Sequence, residues 1–255
     1  MNSELLKKYH DELRVNAQTT GFRREETPYV VRHVSEYNDG GFILASNLLE
    51  VNARPVIQEE KKYFKQLEQP FEWKLFSYDS PSNLKSILLE EGFEEEEEEA
   101  LLVLDVRNAA SLLQVEEQEQ LVEMETERGV ADIVKLMDDI WEADHSGLGK
   151  RLWRDKQERP GHLYLYGIYD GEELVSGAWM YLEEGTSFAS LWGGATRPTY
   201  RGKGFYKDLV AARAKKAAEK GYIFLTVDAR PMSRPILENI GFQFLAYTYA
   251  MQSPK

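Results

Sequence analysis

The segment Ala195-Thr196-Arg197-Pro198-Thr199-Tyr200-Arg201-Gly202-Lys203-Gly204-Phe205-Tyr206 lies between a strand-like and a helix-like run. The run before it, Phe188 to Trp192, is apolar, and Lys207 to Lys220 carries apolar side chains at helical spacing. The first N–H groups of a helix have no intrahelical acceptor, and the helix dipole is positive there. Glycines allow a phosphate to approach this backbone, and Arg201 and Lys203 add positive charge. The segment therefore predicts a phosphate or pyrophosphate site formed mainly by main-chain amides.

Three other glycine-containing motifs fit these residues less well. A P-loop has Ser or Thr after its Gly-Lys pair, but Lys203 is followed by Gly204. A dinucleotide-binding loop needs three spaced glycines early in its fold, whereas Gly202 and Gly204 come late and Tyr206 follows them. The run Tyr206-Lys207-Asp208 also breaks the pattern of an RNA-recognition strand. On this segment alone, a plain turn between strand and helix stays open as the alternative.

The order and spacing of these residues resemble a known motif. Arg201 and Gly204, preceded by Thr196-Arg197-Pro198, resemble the pyrophosphate-binding motif of the GNAT superfamily of acyl-CoA N-acyltransferases, although Tyr206 replaces a small residue there. From about residue 119 onward the predicted order is strand, two helices, three-strand meander, helix, strand, helix, strand, which is similar to that family. The resemblance implies an α/β (α+β) fold with a GNAT-like mixed sheet flanked by helices.

The two halves of the chain end in a similar way. Asp79 precedes Gly92-Phe93 by thirteen residues, and Asp228 precedes Gly241-Phe242 by the same spacing. Each aspartate follows a strand-like run, and each Gly-Phe pair precedes one. The repeat predicts that the first half is a degenerate copy of part of the second, while chance similarity between short segments stays the alternative.

We therefore predict two domains. Residues 1–118 form a degenerate GNAT-like domain, and residues 119–255 form the acetyl-CoA-binding domain. The stretch Ser46 to Pro55 has no glycine and one cation, so the first domain is expected to lack a pyrophosphate site. A helix is predicted from about Ile57 to Leu67, and the six glutamates 94–99 are predicted to form a solvated loop or frayed edge.

Composition limits the compartment and the partners. The chain has 255 residues, a net charge of −13 and no cysteine, which excludes disulfides, thiolate metal sites and cysteine nucleophiles. No signal peptide or membrane helix is recognised, and we expect a cytoplasmic protein. The negative charge disfavours nucleic acid and anionic membranes as partners. A homodimer is compatible with the sequence.

The resemblance implies an N-acetyltransferase. Acetyl-CoA would be the acyl donor, an amine of a small molecule or peptide would attack it directly, and no metal is expected. The strand before the turn would bind the pantetheine arm and the thioester carbonyl, and the turn and helix start would bind the pyrophosphate. The residues implied in donor binding are Gly194, Ala195, Thr196, Arg201, Gly202, Lys203, Gly204, Phe205, Tyr206, Lys207 and Ser233.

The catalytic side chains are less clearly indicated. The tyrosine that usually protonates the thiolate in this family falls on Leu237, and the usual asparagine falls on Arg230. Asp228 and Tyr249 are the predicted catalytic residues, as base and acid. Asp228 is also open to a structural role, since its counterpart is Asp79.

Other interpretations remain open at this point. His145, His162 or a water molecule are the alternatives for the base, and Tyr247 is the alternative for the acid. Trp179 and Trp192 are candidates to line the acceptor pocket. Because neither an acid nor a base is clear, the alternative function is a non-catalytic acyl-CoA sensor or assembly module.

Overall fold

The computed structural model describes residues 2–116 and 118–254. Short π-helical and 3-10 turns cover His10–Val15, Val106–Asn108 and Pro198–Tyr200. The helices are α1 (Asn2–Tyr9), α2 (Glu50–Gln66), α3 (Leu84–Glu90), α4 (Ala110–Leu113), α5 (Glu127–Trp141), α6 (Ser146–Glu158), α7 (Phe205–Glu219) and α8 (Arg234–Ile240). The strands are β1 (Phe22–Glu26), β2 (Val30–Ser35), β3 (Gly41–Ser46), β4 (Phe71–Phe76), β5 (Glu94–Glu95), β6 (Glu99–Asp105), β7 (Leu121–Met124), β8 (Leu163–Asp170), β9 (Glu173–Leu182), β10 (Phe188–Thr196), β11 (Phe224–Ala229) and β12 (Gln243–Gln252).

The chain divides into two compact units, each made of separate segments. The amino-terminal unit comprises residues up to 102 together with 228–238 and residues from 243 onward. The central unit comprises residues 103–227 and 239–242. The domains predicted from the repeat, 1–118 and 119–255, divide the chain by its order in sequence and stay a prediction.

The amino-terminal unit is a mixed sheet with α2 and α3 packed on one face, whereas Tyr9 and Arg14 contact Phe76 on the other face. Its strands lie in the order β1-β2-β3-β4-β12-β6, and β5 pairs with β12. The β3–β4 pair is parallel, whereas β1–β2, β2–β3 and β4–β12 are antiparallel. Apolar residues of α2 and α3, such as Ile57 and Leu88, form one buried cluster with Trp73, Leu75 and Met251 of the strands. Alternation along β4 places Lys74 on the other face.

The central unit is an antiparallel meander with one added parallel strand. Its order is β11-β10-β9-β8-β7, and only β10 and β11 run parallel. Leu163 and Leu165 of β8 belong to a core cluster with α5 and α6. Tyr164, between them, instead contacts Lys216 of α7, whose ammonium lies 5.2 Å from the ring centroid. Helix α7 therefore covers the face of the sheet opposite to α5 and α6.

Helix α2 differs from its predicted extent. It begins at Glu50, seven residues before the predicted start at Ile57, and continues through Pro55. Proline has no amide hydrogen to donate within a helix, so one carbonyl of this helix lacks its usual partner. The carbonyl left without that bond belongs to Val51, which is 82 % exposed and can be hydrated.

The glutamate run is more ordered than the predicted loop. Glu94 and Glu95 form β5 against β12, and Glu99 begins β6. Cations neutralise part of its charge: Lys85 Nζ lies 2.5 Å from Glu95, and Lys74 Nζ lies 3.5 Å from Glu99. These lysines belong to β4 and α3, which lie outside the run. Repulsion between neighbouring glutamates therefore does not by itself determine the conformation of the run.

His33 of β2 is buried in the amino-terminal unit without a second hydrogen-bond partner. Its Nε2 lies 3.2 Å from the Ala17 carbonyl, its ring stacks on Phe42, and Nδ1 has no partner among the described atoms. Burial lowers the pKa of His33 to about 4; the Ala17 hydrogen bond opposes this shift, and the charge of Arg24 adds to it. The neutral ring is therefore the form that fits the fold.

We expect acid to destabilise the protein through His33. The unfolded chain binds the proton near pH 6.5 and the folded chain near pH 4, so this contribution is complete above pH 6.5 and is lost as the pH falls toward 4. The loss is about 3 kcal/mol. His33→Gln keeps an amide donor for Ala17 and does not titrate, so its unfolding free energy should fall less between pH 7 and 4.5 in urea titrations. Equal slopes for variant and wild type would contradict this assignment.

Candidate functional site

Strand β10 extends beyond its parallel neighbour. The β10–β11 ladder has three residue pairs, from Phe188–Phe224 to Ser190–Thr226, whereas β10 continues to Thr196. On its other side β10 stays bonded to β9, and Arg197 N donates to the Val175 carbonyl at 2.9 Å. Because alternate amides of a strand point to opposite sides, those of Thr196 and Gly194 point away from β9. The strand end thus offers main-chain donors for a ligand.

A bulge interrupts β10 next to these donors. The register with β9 shifts between Trp192 and Ala195, and Gly193 has φ +63°. A Cβ on Gly193 would lie 1.8 Å from the Trp179 ring. A Cβ on Gly194 would lie 2.5 Å from Cε2 of Tyr206. Aromatic rings therefore cover both glycines, and each glycine is needed for close contact between ring and backbone.

A buried arginine fixes the strands at the bulge. The side chain of Arg213, on α7, is 1 % exposed, and its Nη1 donates to the carbonyls of Trp179 at 3.1 Å and Trp192 at 3.4 Å. Its Nε donates to Leu209 of the same helix at 2.9 Å. Burial lowers the pKa of Arg213 to about 10, so the guanidinium is still charged at pH 7. Among the described ion pairs it has no acidic partner, so its positive charge is not cancelled locally.

The turn after β10 has the backbone that the predicted phosphate site requires. Gly202 and Gly204 have φ +77° and +91°, conformations that favour glycine. A Cβ on Gly202 would meet nothing within 4 Å, so the outer side of the turn is open. The side chain of Arg201 donates from Nε to the Thr196 carbonyl at 3.1 Å and braces the turn. The sequence analysis assigned Arg201 to ligand binding, and this role stays a prediction.

Helix α7 begins directly at this turn. Gly204 is its N-cap, and Asp208 N donates to the Gly204 carbonyl at 3.1 Å. The amides of Phe205, Tyr206 and Lys207 precede that bond and have no helical acceptor. Together with the exposed side chains of Lys203 and Lys207, they form a positive end that suits an anion.

Asp228, the predicted base, belongs to the amino-terminal unit and is ion-paired. Its Oδ2 lies 2.9 Å from Lys74 Nζ, and Thr248 donates to Oδ1 at 3.4 Å. Burial alone would lower the pKa of Lys74, but the carboxylates of Asp228, Glu72 and Glu99 outweigh it and raise that pKa. Asp79, its counterpart in the repeat, is also ion-paired, with Arg14.

Tyr249, the predicted acid, lies on the other side of β12 from Thr248. Lys85 Nζ is 4.0 Å from its ring centroid, and the ring packs against the apolar cluster. Burial and a hydrogen bond to Glu98 raise the pKa of Tyr249 to about 12. Because neighbouring residues alternate across a strand, Tyr249 and Asp228 face opposite sides of the sheet and do not form one pair.

Part of this chain is similar to a known protein family. Residues 130–242 match the model of the family described as Acetyltransferase (GNAT) family. The match covers less than half of the chain. It includes most of α5, all of α6 to α8 and the turn after β10.

Solved structures support the GNAT-like fold over the whole chain. A GCN5-related N-acetyltransferase from Kribbella flavida has a TM-score of 0.70 at 13% identity, covering 100% of this chain and 96% of that one. A functionally unknown conserved protein from Staphylococcus epidermidis ATCC 12228 has a TM-score of 0.68 at 10% identity, covering 98% of both chains. A tandem GNAT protein from the clavulanic acid biosynthesis pathway has a TM-score of 0.62 at 8% identity, covering 99% and 96%. The chain matches no curated protein in sequence. The predicted mixed GNAT-like fold is thereby confirmed.

The remaining sequence candidates occupy ordinary structural positions. His145 Nδ1 lies 2.9 Å from Asp138, and His162 Nδ1 lies 3.4 Å from the Leu182 carbonyl. Ser233 donates its hydroxyl to the Arg230 carbonyl at 3.1 Å. Leu237, at the usual position of the GNAT acid, is fully buried and apolar. Their roles in donor binding or catalysis stay predictions.

The two tryptophans form a pair next to the bulge. Trp192 of β10 pairs with Trp179 of β9, so both side chains lie on the face of the sheet that α5 and α6 cover. Trp192 is half exposed, whereas Trp179 is 5 % exposed. Trp192 thus presents an accessible aromatic surface on this face, and Trp179 packs into the core.

Arg213 was missed by sequence reasoning although a signal existed. It lies four residues after Leu209 and three after Val210, inside the apolar stripe of α7. A charged residue at a core-facing position indicates a buried polar contact that the fold requires.

The described part of the chain was searched for metal-binding groups and for membrane-spanning helices. Among residues 2–116 and 118–254, no group of three or more metal-binding side chains is present. No helix within those ranges has both the length and the apolar character to cross a membrane.

Proposed function

We propose that the protein is an N-acetyltransferase that moves an acetyl group from acetyl-CoA to an amine of a small molecule or peptide. The carrying observation is the start of α7, where glycines at φ +77° and +91° leave main-chain amides exposed at a positive helix end. Pyrophosphate fits this site because the space beside Gly202 is open and no metal ligand is needed to neutralise it. The match of residues 130–242 to the model of the GNAT family supports the proposal.

The unpaired end of β10 would bind the rest of the donor. The amides of Gly194 and Thr196 point away from β9, and they would hold the pantetheine arm and the thioester carbonyl. Holding the thioester along a rigid strand limits its motion and orients its carbonyl carbon for attack. Donors fixed at the carbonyl oxygen also stabilise the negative charge that develops there.

The acceptor would bring its own nucleophile, an amine nitrogen. Trp192, half exposed beside the bulge, is proposed to contact the acceptor, since an aromatic face also attracts a cation. Asp228 is proposed as the base, although its pairing with Lys74 at 2.9 Å stabilises its charged form and weakens it in that role. A base acting through water is the alternative.

Titration calorimetry with acetyl-CoA tests the donor site. We propose one site per chain, because the corresponding stretch of the amino-terminal unit, 46–55, has no glycine and α2 begins there instead. Binding with one acetyl-CoA per chain is the expected result. If millimolar acetyl-CoA produces no heat of binding, the proposed donor site is rejected. If the chain binds two acetyl-CoA molecules at equivalent sites, the prediction of a degenerate first half is rejected.

Gly204→Val is expected to weaken acetyl-CoA binding by about tenfold. The φ of +91° strains any residue with a side chain, and a branched Cβ would also narrow the approach of the phosphate. The Cβ itself would meet only Asp208 Oδ2, at 3.9 Å, so the variant should fold. Gly185→Val is the matched control, because Gly185 has φ +73° and open surroundings in the β9–β10 turn. Unchanged affinity in a folded Gly204→Val protein would move the phosphate site elsewhere.

A non-catalytic acyl-CoA sensor is the second candidate. The observation that favours it is Leu237, a buried apolar residue where the GNAT acid usually lies. A panel of amines, with free CoA release as the readout, separates the two functions. The protein has no cysteine, so a thiol reagent detects only released CoA. Turnover with any amine removes the sensor, whereas binding without turnover across the panel supports it.

A further inference from the structure

Arg213 of α7 contacts the β10 bulge from the face of the sheet opposite to α5 and α6. The proposed donor site has two subsites, the amides of Gly194 and Thr196 for the thioester and residues 202–207 for the pyrophosphate. We propose that Arg213 is a positioning residue for the acyl donor, because it fixes β10 against α7 and so sets the spacing between these subsites. The proposal rests on the proposed function, since it concerns the same donor site.

One nitrogen of Arg213 donates to two carbonyls on neighbouring strands. Nη1 donates to Trp179 of β9 at 3.1 Å and to Trp192 of β10 at 3.4 Å. These two residues form the last pair of the β9–β10 ladder before its register shifts, and beyond them two glycines lie opposite the single residue Ala178. Arg213 therefore bonds both strands at the point where the ladder between them is interrupted.

The bulge is held from both faces of the sheet. On the face that α5 and α6 cover, the Trp179 ring lies over Gly193, where a Cβ would be 1.8 Å from the ring. On the face that α7 covers, the Arg213 side chain is 1 % exposed, and its Nε donates to the Leu209 carbonyl at 2.9 Å. The strand therefore has little freedom to slide along the helix while Arg213 is in place.

Helix α7 connects Arg213 to the pyrophosphate subsite. Gly204 is the N-cap of this helix, and Arg213 follows it by nine residues, which is about 13 Å along the helix axis. Bonding Arg213 to β10 therefore also fixes the amides at the helix start relative to the strand end. A ligand that binds two subsites gains affinity from the second contact only when their spacing matches its own length. Arg213 should thus matter for a donor that spans both subsites and not for a ligand that binds the turn alone.

A purely structural role for Arg213 is the alternative. Buried carbonyls need donors, and Arg213 provides one for two of them. On that interpretation, losing Arg213 would lower the stability of the fold without distinguishing one ligand from another. Two ligands of different length separate the roles, because acetyl-CoA spans both subsites, whereas ADP carries the pyrophosphate and has no pantetheine arm.

Calorimetry with acetyl-CoA and with ADP is the test. We expect Arg213→Met to weaken acetyl-CoA binding about tenfold and to leave ADP binding within about twofold. Arg213→Lys keeps the positive charge, but its nitrogen ends one bond short of Nη1 and the Nε donor is lost. This variant should bind acetyl-CoA about threefold more weakly than wild type, again with ADP unchanged. If Arg213→Met does not fold, the result for Arg213→Lys decides.

Lys156 provides the matched control. It is also a buried cation of the central unit, 6 % exposed, and its Nζ donates to the Leu163 carbonyl at 3.1 Å. This bond joins α6 to β8 and does not involve β10 or the turn. Lys156→Met should lower stability in urea unfolding and leave the affinities for both ligands within about twofold. Selective loss of acetyl-CoA binding in this variant would overturn the special role of Arg213.

The outcomes separate this proposal from the proposed function. Equal loss of affinity for both ligands in the Arg213 variants, or no loss for either ligand, overturns the positioning role and leaves the donor site standing. Wild-type protein that binds acetyl-CoA no more tightly than ADP rejects the strand end as part of the donor site, and the role of Arg213 with it. Wild-type protein that binds neither ligand rejects the proposed donor site itself.

Discussion

Gly193→Ala is expected to lower the free energy of unfolding by about 3 kcal/mol and to abolish most acetyl-CoA binding. Two costs add in this variant. The φ of +63° strains any residue with a Cβ, and the new methyl group would lie 1.8 Å from the Trp179 ring. Trp179 is buried in the core under α5 and α6, so the ring cannot move away freely. The strand would have to shift, and the amides of β10 would shift with it.

Gly171→Ala separates the two costs. Gly171 has φ +61°, nearly the same strain, but a Cβ there would meet nothing within 4 Å. Urea unfolding of both variants should give a loss of about 1 kcal/mol for Gly171→Ala and a clearly larger loss for Gly193→Ala. Adding Trp179→Leu to Gly193→Ala should restore part of the difference. Similar losses for the two glycine variants would show that the ring contact does not matter.

Arg14→Met is expected to cost about 3–5 kcal/mol of unfolding free energy. Arg14 donates to both carboxylate oxygens of Asp79, at 2.7 and 2.8 Å, and to the Leu44 carbonyl at 2.7 Å. The side chains are 1 % and 4 % exposed, and the guanidinium lies 3.9 Å from the Phe76 ring centroid. Removing the cation leaves the Asp79 carboxylate buried without its counterion.

An exposed ion pair provides the control for Arg14. Arg159 and Glu184 lie 2.6 Å apart but are 47 % and 59 % exposed, so Arg159→Met should cost less than about 1 kcal/mol. The double variant Arg14→Met/Asp79→Asn should be more stable than Arg14→Met alone, because it removes the orphaned charge. Thermal and urea unfolding measure all three. A double variant no more stable than the single one would mean that the loss comes from packing.

Periodicity and turn chemistry were sufficient to predict the strand and the helix on either side of the glycine-rich turn. The strand-like run Phe188 to Trp192 lies in β10, and the helix-like run that begins at Lys207 lies in α7. A turn was predicted between this strand and this helix, and Gly204 in it has φ +91°. These are local properties, since a few neighbouring residues decide them.

Contacts between residues that are far apart along the chain could not be predicted from the sequence. Nothing near Asp228 indicates Lys74, which pairs with it across the amino-terminal unit. The charged strand β1, Phe22–Glu26, shows no alternating pattern and is defined by its pairing with β2. Tyr206 was known as a departure from the motif, but its contact with Gly194 is visible only when strand and helix are packed together.

The pairing of β4 with β12 also affects how the chain is made. Residues 72–76 bond to residues 248–252, so the amino-terminal unit includes a strand from the far end of the chain. During synthesis that unit stays incomplete until residue 252 has left the ribosome. Until then, the edge of β4 that pairs with β12 has no partner strand. A fragment ending near residue 118 would keep this open edge permanently and is expected to aggregate when expressed alone, whereas fusing residues 243–254 to it through a flexible linker should improve its solubility.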